Sequence, residues 1–189
     1  MNIGKKVLDN MTNFILVRHC QANGQEPEAQ LTTEGLKQAN ELAEFLKHYN
    51  ISRIISSPFT RAIQTITPYA TNKHIEIELD ERLKERILSS ENLPDWFNKL
   101  QQTFQEPDLK FSGGESSNEA RKRILDLVDD LMHTDCENIV LVTHGNLSAL
   151  LLNYISQNFG FEEWKQLSNP DVYLIELKLN ELSYKRIWK

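Results

Sequence analysis

Residues 14–25 read "FILVRHCQANGQ". Phe14 to Val17 form a brief apolar, partly β-branched run that stops at an arginine, a histidine and a cysteine, the pattern of a buried strand ending in a polar turn. The pattern returns twice. "ISRIISSP" (residues 51–58) is a second short strand, broken at Ser57-Pro58, and "NIVLVTHG" (138–145) is a third that runs into the apolar helix "NLSALLLNYI". Runs this short and this apolar suit parallel strands covered on both faces.

Helical periodicity fills the intervals. "LTTEGLKQANELAEFLKHYN" places Leu36, Ala39, Ala43 and Leu46 on one face, with Thr32 or Thr33 available as the cap. "PFTRAIQTITPYA" is predicted helical with Pro58 in its first turn, where the missing N–H costs nothing. "HIEIEL" alternates as a strand does. Residues 83–114 are the least regular, although Trp96, Phe97, Leu100 and Phe104 mark one packed helical face, with the Trp96–Phe97 pair expected in the core or, as the alternative, covering the substrate pocket. "GGESSNEARKRILDLVDDLMH" combines a capping box, Ser116 and Glu119, with a stripe of Ala120, Ile124, Leu127, Val128 and Leu131. "VYLIELKLNELSYKRIW" reads as two strands about an Asn180-Glu181 turn. Alternating strands and helices closed by a hairpin predict an α/β fold, a three-layer α/β/α sandwich whose mixed sheet is mainly parallel.

The chain has 189 residues, enough for one substantial core, and is expected to form a single domain over 1–189. Its 40% hydrophobic and 25% charged residues are those of a globular protein. No apolar run approaches a membrane span, and "MNIGKKVLDNMTN" lacks the apolar stretch of a secretory signal, so a cytoplasmic location without membrane association is expected. The formal charge of −6 argues against nucleic acid as a partner. Any anionic ligand must therefore be held by a local cluster. Two cysteines, Cys20 and Cys136, have no disulfide-framework spacing and are read as reduced thiols. His133 and Cys136 have a metal-like spacing but no second pair, and His48 and His74 stand alone, so no metal is expected.

In sheets of this kind ligands gather beyond the carboxyl ends of the strands. Three strands end in reactive groups: Arg18 and His19, the turn before Arg61, and His144. Parallel neighbours would bring two arginines and two histidines to one crevice that suits a phosphate, with the helix starts near Pro58 and after Gly145 adding N–H groups. His19 is then the candidate nucleophile, attacking phosphorus through one ring nitrogen while the other is fixed by a backbone carbonyl. Arg18, Arg61 and His144 would stabilise the transferring oxygens. The proton for the leaving oxygen would come from a carboxyl group in "LDERLKERILSS", where Asp80, Glu81 and Glu85 are all candidates. Cys20 is the competing nucleophile. A cysteine phosphatase needs an arginine closing the loop a few residues beyond the thiol, and Glu26 and, after Cys136, Val142 stand in that place.

The ordered set resembles the histidine phosphatase superfamily, or phosphoglycerate mutase-like family. Arg18-His19 matches its first signature, with Cys20 where glycine is usual. Leu31-Thr32 with Gly35, "SSPFTRAIQT" with Arg61, "ERLKE", "GGES" at Gly113–Ser116 and "THG" at Thr143–Gly145 follow in the family's order, over roughly Asn13 to Ile155. The resemblance implies the fold, phosphohistidine chemistry without metal or organic cofactor, Glu85 as the acid and His144 as the second catalytic, phosphate-contacting histidine. It implies a small phosphorylated metabolite as substrate and inorganic phosphate as product. Two departures stand out: Cys20, expected to narrow the pocket mouth or make activity sensitive to oxidation, and "QANGQ", with Gln25 where asparagine is common. The long insertion usual before "GGES" in mutases is absent, which favours phosphatase over mutase. A phospho-ligand-binding module without turnover is the alternative from another class.

Overall fold

The computed structural model describes residues 12–132, 134, 136–178 and 181–188. The amino-terminal stretch to residue 11, His133 and the Asn180 half of the expected turn lie outside the described residues. In chain order the elements are β1 (Asn13–Arg18), α1 (Thr33–Leu46), β2 (Ile51–Ser56), α2 (Thr60–Lys73), β3 (Ile77–Leu79), a 3-10 turn (Glu81–Leu83), α3 (Trp96–Gln105), α4 (Ser117–Met132), β4 (Asn138–Thr143), α5 (Gly145–Ile155), α6 (Phe161–Lys165), β5 (Asp171–Lys178) and β6 (Glu181–Arg186). The strands form one sheet in the order β3-β2-β4-β1-β5-β6. β3, β2, β4 and β1 run parallel, β5 is antiparallel to β1, and β6 is antiparallel to β5, as the alternation and the closing hairpin predict.

Side chains alternate through the sheet into two cores. Phe14 and Leu16 of β1 and Ile139 and Leu141 of β4 pack under α4 and α5. Ile15, Val17, Val140 and Val142 point the other way, against α1 and α2. Every residue of β4 is buried, which is why its sequence is a continuous apolar run. β1 is followed by α1 on one face and β4 by α5 on the other, although the two strands are neighbours with Arg18 opposite Thr143. Their connections therefore part at the carboxyl edge and open a crevice there.

Four local expectations change. Leu36 is half exposed, and the buried face of α1 is Gly35, Ala39, Leu42, Ala43 and Leu46, with Thr32 capping through the Gly35 N–H. Pro58 precedes α2 rather than opening it: Phe59 is the cap residue. Ser57 still donates its N–H to the Val142 carbonyl beside β2, and Phe59 is extended, so the helix begins only at Thr60. The "HIEIEL" strand shortens to Ile77–Leu79 because His74 takes the left-handed cap of α2 (φ 55°). Trp96 and Phe97 are 51% and 42% exposed, while Leu100 and Thr103 of the same helix are buried. Among the described residues no helix is long and apolar enough to cross a membrane.

Candidate active site

Arg18 and His19 leave the end of β1, and His144 follows β4 as the cap residue of α5. Arg61 comes from the first turn of α2, beyond β2. The fold thus gathers all four expected groups. His19 is 8% exposed, Arg61 1% and His144 0%. The two imidazoles meet edge to face with centroids 5.1 Å apart.

The hydrogen bonds around His19 define its tautomer. Nδ1 lies 2.6 Å from the carbonyl oxygen of Cys20, which can only accept, so Nδ1 carries the proton. Arg61 Nε, which can only donate, lies 3.2 Å from Nε2. Nε2 is therefore the unprotonated nitrogen, beside a guanidinium. Burial of the ring lowers its pKa to about 3; the Cys20 carbonyl opposes this, and Arg61 and Arg18 reinforce it. The ring is accordingly neutral near pH 7. Asn169 donates from Nδ2 to the His19 carbonyl at 2.7 Å, fixing the strand end from the far side.

His144 is held by Ser57, whose Oγ lies 2.8 Å from Nε2, and the Phe59 ring packs against it at 5.0 Å. Burial, with His19 and Arg61 nearby, holds its pKa well below the ordinary value. Among the described residues its Nδ1 is buried without a hydrogen-bond partner, as is Arg18 Nε. Arg18 is anchored by Nη1, which donates to the Leu167 carbonyl at 2.8 Å. The guanidinium lies across Gly145, where an added Cβ would sit 3.1 Å from Arg18 Nε. Arg61 Nη1 donates to the carbonyls of Gln25 and Glu26 at 3.1 and 2.8 Å, tying the loop after β1 to α2.

Three candidate carboxylates have three different settings. Asp80 forms an ion pair with Arg82 and caps the 3-10 turn. Glu81 pairs with Lys84 at the surface. Glu85 alone lines the cleft, beside Arg18 and Gly145. Its Oε1 accepts from the Leu147 and Arg86 N–H groups at 3.0 and 2.9 Å, and Oε2 from the Asn146 N–H at 3.1 Å. The start of α5, expected to offer N–H groups to a phosphate, offers two of them to Glu85 instead. Carboxylates are favoured at that end of a helix for the same electrostatic reason that phosphates are.

Cys20 points away from the site. It is fully buried with Leu31 and Ala39, and burial pushes its thiol up to about 12. It neither narrows the pocket mouth nor offers a thiolate, which corrects both expectations; only its backbone touches His19. Cys20 and Cys136 are both free, and they lie towards opposite ends of the parallel pair β1 and β4.

An open cleft of about 820 Å3 leads outward from Arg18, Glu85 and Gly145, bounded by Gln25, Glu26 and residues 86–100. Its rim rests on the "GGES" turn. Gly113 has φ +64°, and a Cβ on Gly114 would lie 2.2 Å from the Leu88 carbonyl, so only glycine lets the two segments meet. Ser116 and Glu119 form the expected capping box of α4 (Ser116 N–H to Glu119 Oε2, 2.8 Å). Sequence reasoning missed Ser57, Asn146 and Asn169 as parts of the site. Ser57 and Asn146 adjoin motif residues and were open to suspicion; Asn169 lies far along the chain with no periodic signal. Among the described residues no group of three His, Cys, Asp or Glu side chains could hold a metal ion.

A family model described as the histidine phosphatase superfamily (branch 1) matches residues 14–187. An uncharacterised phosphoglycerate mutase family protein of Acanthamoeba polyphaga mimivirus is 30% identical over 129 residues, 63% of this chain but 58% of that protein's length. Phosphoserine phosphatase 1 of Hydrogenobacter thermophilus is 26% identical over 150 residues, 71% of each chain. Among solved structures, a phosphoserine phosphatase mutant from Entamoeba histolytica with bound phosphoserine superposes with a TM-score of 0.75 at 24% identity, covering 93% of this chain and 95% of that one. A mycobacterial glucosyl-3-phosphoglycerate phosphatase superposes with a TM-score of 0.74 at 21% identity, covering 93% and 96%.

Proposed function

Because the chain belongs to the histidine phosphatase superfamily, we propose that it is a phosphatase that hydrolyses a small phosphomonoester through a phosphohistidine on His19. The observation that carries this reading is the tautomer of His19: a neutral ring with Nδ1 fixed by the Cys20 carbonyl and Nε2 free of a proton beside two arginines and a second histidine. Three of the four relatives named above are phosphatases, which supports hydrolysis over isomerisation, and the fourth carries the phosphoglycerate mutase family name.

The chemistry follows from these contacts. Arg61 exchanges its bond to Nε2 for the phosphoryl oxygens, and Arg18 and His144 take others. Nε2 attacks phosphorus in line with the ester oxygen, the P–O bond breaks, and the electron pair leaves with the alcohol oxygen. Glu85, at the cleft side of Arg18, supplies the proton to that oxygen and then withdraws one from the water that cleaves the N–P bond, releasing inorganic phosphate. Charge on the phosphoryl group is met by Arg18, Arg61 and His144, so the reading requires neither metal nor organic cofactor. Ser57 and Asn169 keep His144 and the His19 backbone in place.

The test is hydrolysis of phosphomonoesters in EDTA by wild type and His19→Ala. Phosphate release that His19→Ala abolishes is the expected result, and release that survives the substitution overturns the assignment. Product isomerisation outrunning phosphate release would point to a mutase instead.

A further inference from the structure

The cleft is far larger than a phosphoryl group. About 820 Å3 is within the range of about 300–1,000 Å3 that holds a drug-sized ligand. Beyond Arg18 and Glu85 its wall is formed by Leu88, Leu93, Trp96, Leu100 and Trp164. Trp164 is fixed by stacking on Phe161 (5.4 Å, 22° between planes). Trp96 sits across Phe97 in an edge-to-face pair at 5.6 Å and is 51% exposed, a large ring left uncovered on the wall of a catalytic cleft. The charges there are equally telling. Arg86 lines the cleft but is 6% exposed; its Nε donates to the Glu115 carbonyl and its Nη1 to Thr103 Oγ1 and Ser117 Oγ, and Nη2, which has no partner among the described residues, is itself buried rather than presented on the cleft surface. The exposed charges beyond the floor are those of Glu26 and Glu91, which repel a second anionic group.

We propose, on the phosphatase reading above, that the preferred substrate is the phosphate ester of an uncharged, ring-bearing alcohol, with its ring against Trp96 and Trp164 between α3 and α6. Aromatic faces bind a flat apolar body by offset or edge-to-face contact, and displaced water adds to the gain. Trp96 and Trp164 then determine specificity without touching the reacting atoms.

The experiment compares 2-phenylethyl phosphate with ethyl phosphate, esters whose leaving alcohols differ little in acidity but differ by one ring. A third probe, 3-phosphooxypropionate, replaces the ring by a carboxylate. Wild type should favour the phenylethyl ester by about tenfold or more in kcat/KM and disfavour the carboxylate. Trp96→Ala should reduce that ratio at least about fivefold and Trp96→Phe should keep most of it. Trp164→Ala should also reduce it; Trp96, being half exposed, keeps the test valid if the stack of the partly buried Trp164 on Phe161 is needed for folding. A wild-type ratio near one, a ratio that neither alanine variant moves, or a preference for the carboxylate ester overturns the proposal. Failure of the phosphatase reading looks different: none of the three esters is hydrolysed, or hydrolysis survives His19→Ala.

Discussion

Replacing Glu85 by glutamine separates its two roles. The carboxylate accepts three N–H groups, two of them at the start of α5. Glutamine with its carbonyl in the place of Oε1 keeps the bonds to Leu147 and Arg86 but turns an amide donor towards the Asn146 N–H. One hydrogen bond to a charged group is worth about 1.5–3 kcal/mol, and the helix-end charge about 0.3–1 kcal/mol. Glu85 is partly exposed, so the lower end applies, about 2 kcal/mol. For a chain of this size that is a fall in Tm of about 4–8 °C. Loss of the acid should lower kcat/KM, which reports the phosphorylation half-reaction and not the later attack of water, by about 10²–10⁴ on an alkyl phosphate, whose leaving oxygen needs a proton. On 4-nitrophenyl phosphate, whose phenolate leaves unprotonated, the loss in kcat/KM should be under about tenfold. Paired steady-state assays on the two esters, with thermal melts of both proteins, read all three numbers. Equal losses on both esters would refute the acid assignment and leave Glu85 only a structural cap.

Three further predictions concern the frame around His19. Gly35→Ala puts a Cβ 2.1 Å from the Gln21 carbonyl, a backbone clash in α1 that should cost about 1–3 kcal/mol or more and lower the urea midpoint; an unchanged midpoint would contradict the close approach. Cys20→Gly keeps both backbone bonds around His19, so it should retain turnover at a stability cost of about 1–3 kcal/mol, and iodoacetamide should not inactivate the wild type; loss of turnover, or rapid inactivation through Cys20, would mean that the thiol acts. His19 titrates near pH 3 when folded and near 6.5 when unfolded, so the unfolded state binds the extra proton between those values. Stability is then fully present above about pH 6.5 and declines as pH falls towards 3, with His144 acting in the same direction. The NMR shifts of both rings should be flat from pH 8 to about pH 5, and a midpoint near 6.5 for either would contradict their burial.

The buried strands were legible because strands covered on both faces have no polar alternation to hide them: "FILV" and "NIVLV" are continuous apolar runs. Once those strands were parallel, the convergence of Arg18, His19, Arg61 and His144 followed. What was illegible depended on contacts distant in sequence. Glu85 is separated from Asp80 and Glu81 only by where the chain turns after β3, and three carboxylates within six residues look alike until α5 supplies its N–H groups. Trp96 and Phe97 fit a packed helical stripe, yet α3 buries Leu100 and Thr103 and leaves the tryptophan on the cleft wall. Cys20 occupies a motif position whose side chain faces inward, a direction that no spacing discloses.

The central claim is that the phosphoryl group passes through Nε2 of His19. Rapid acid-free quenching of wild type turning over a labelled phosphomonoester, followed by peptide mapping at alkaline pH, tests it directly. The expected result is an acid-labile, alkali-stable phosphoryl group on His19 that forms and decays at rates compatible with kcat and is absent from His19→Ala. Full turnover with no label on His19, or label on another residue, would contradict it.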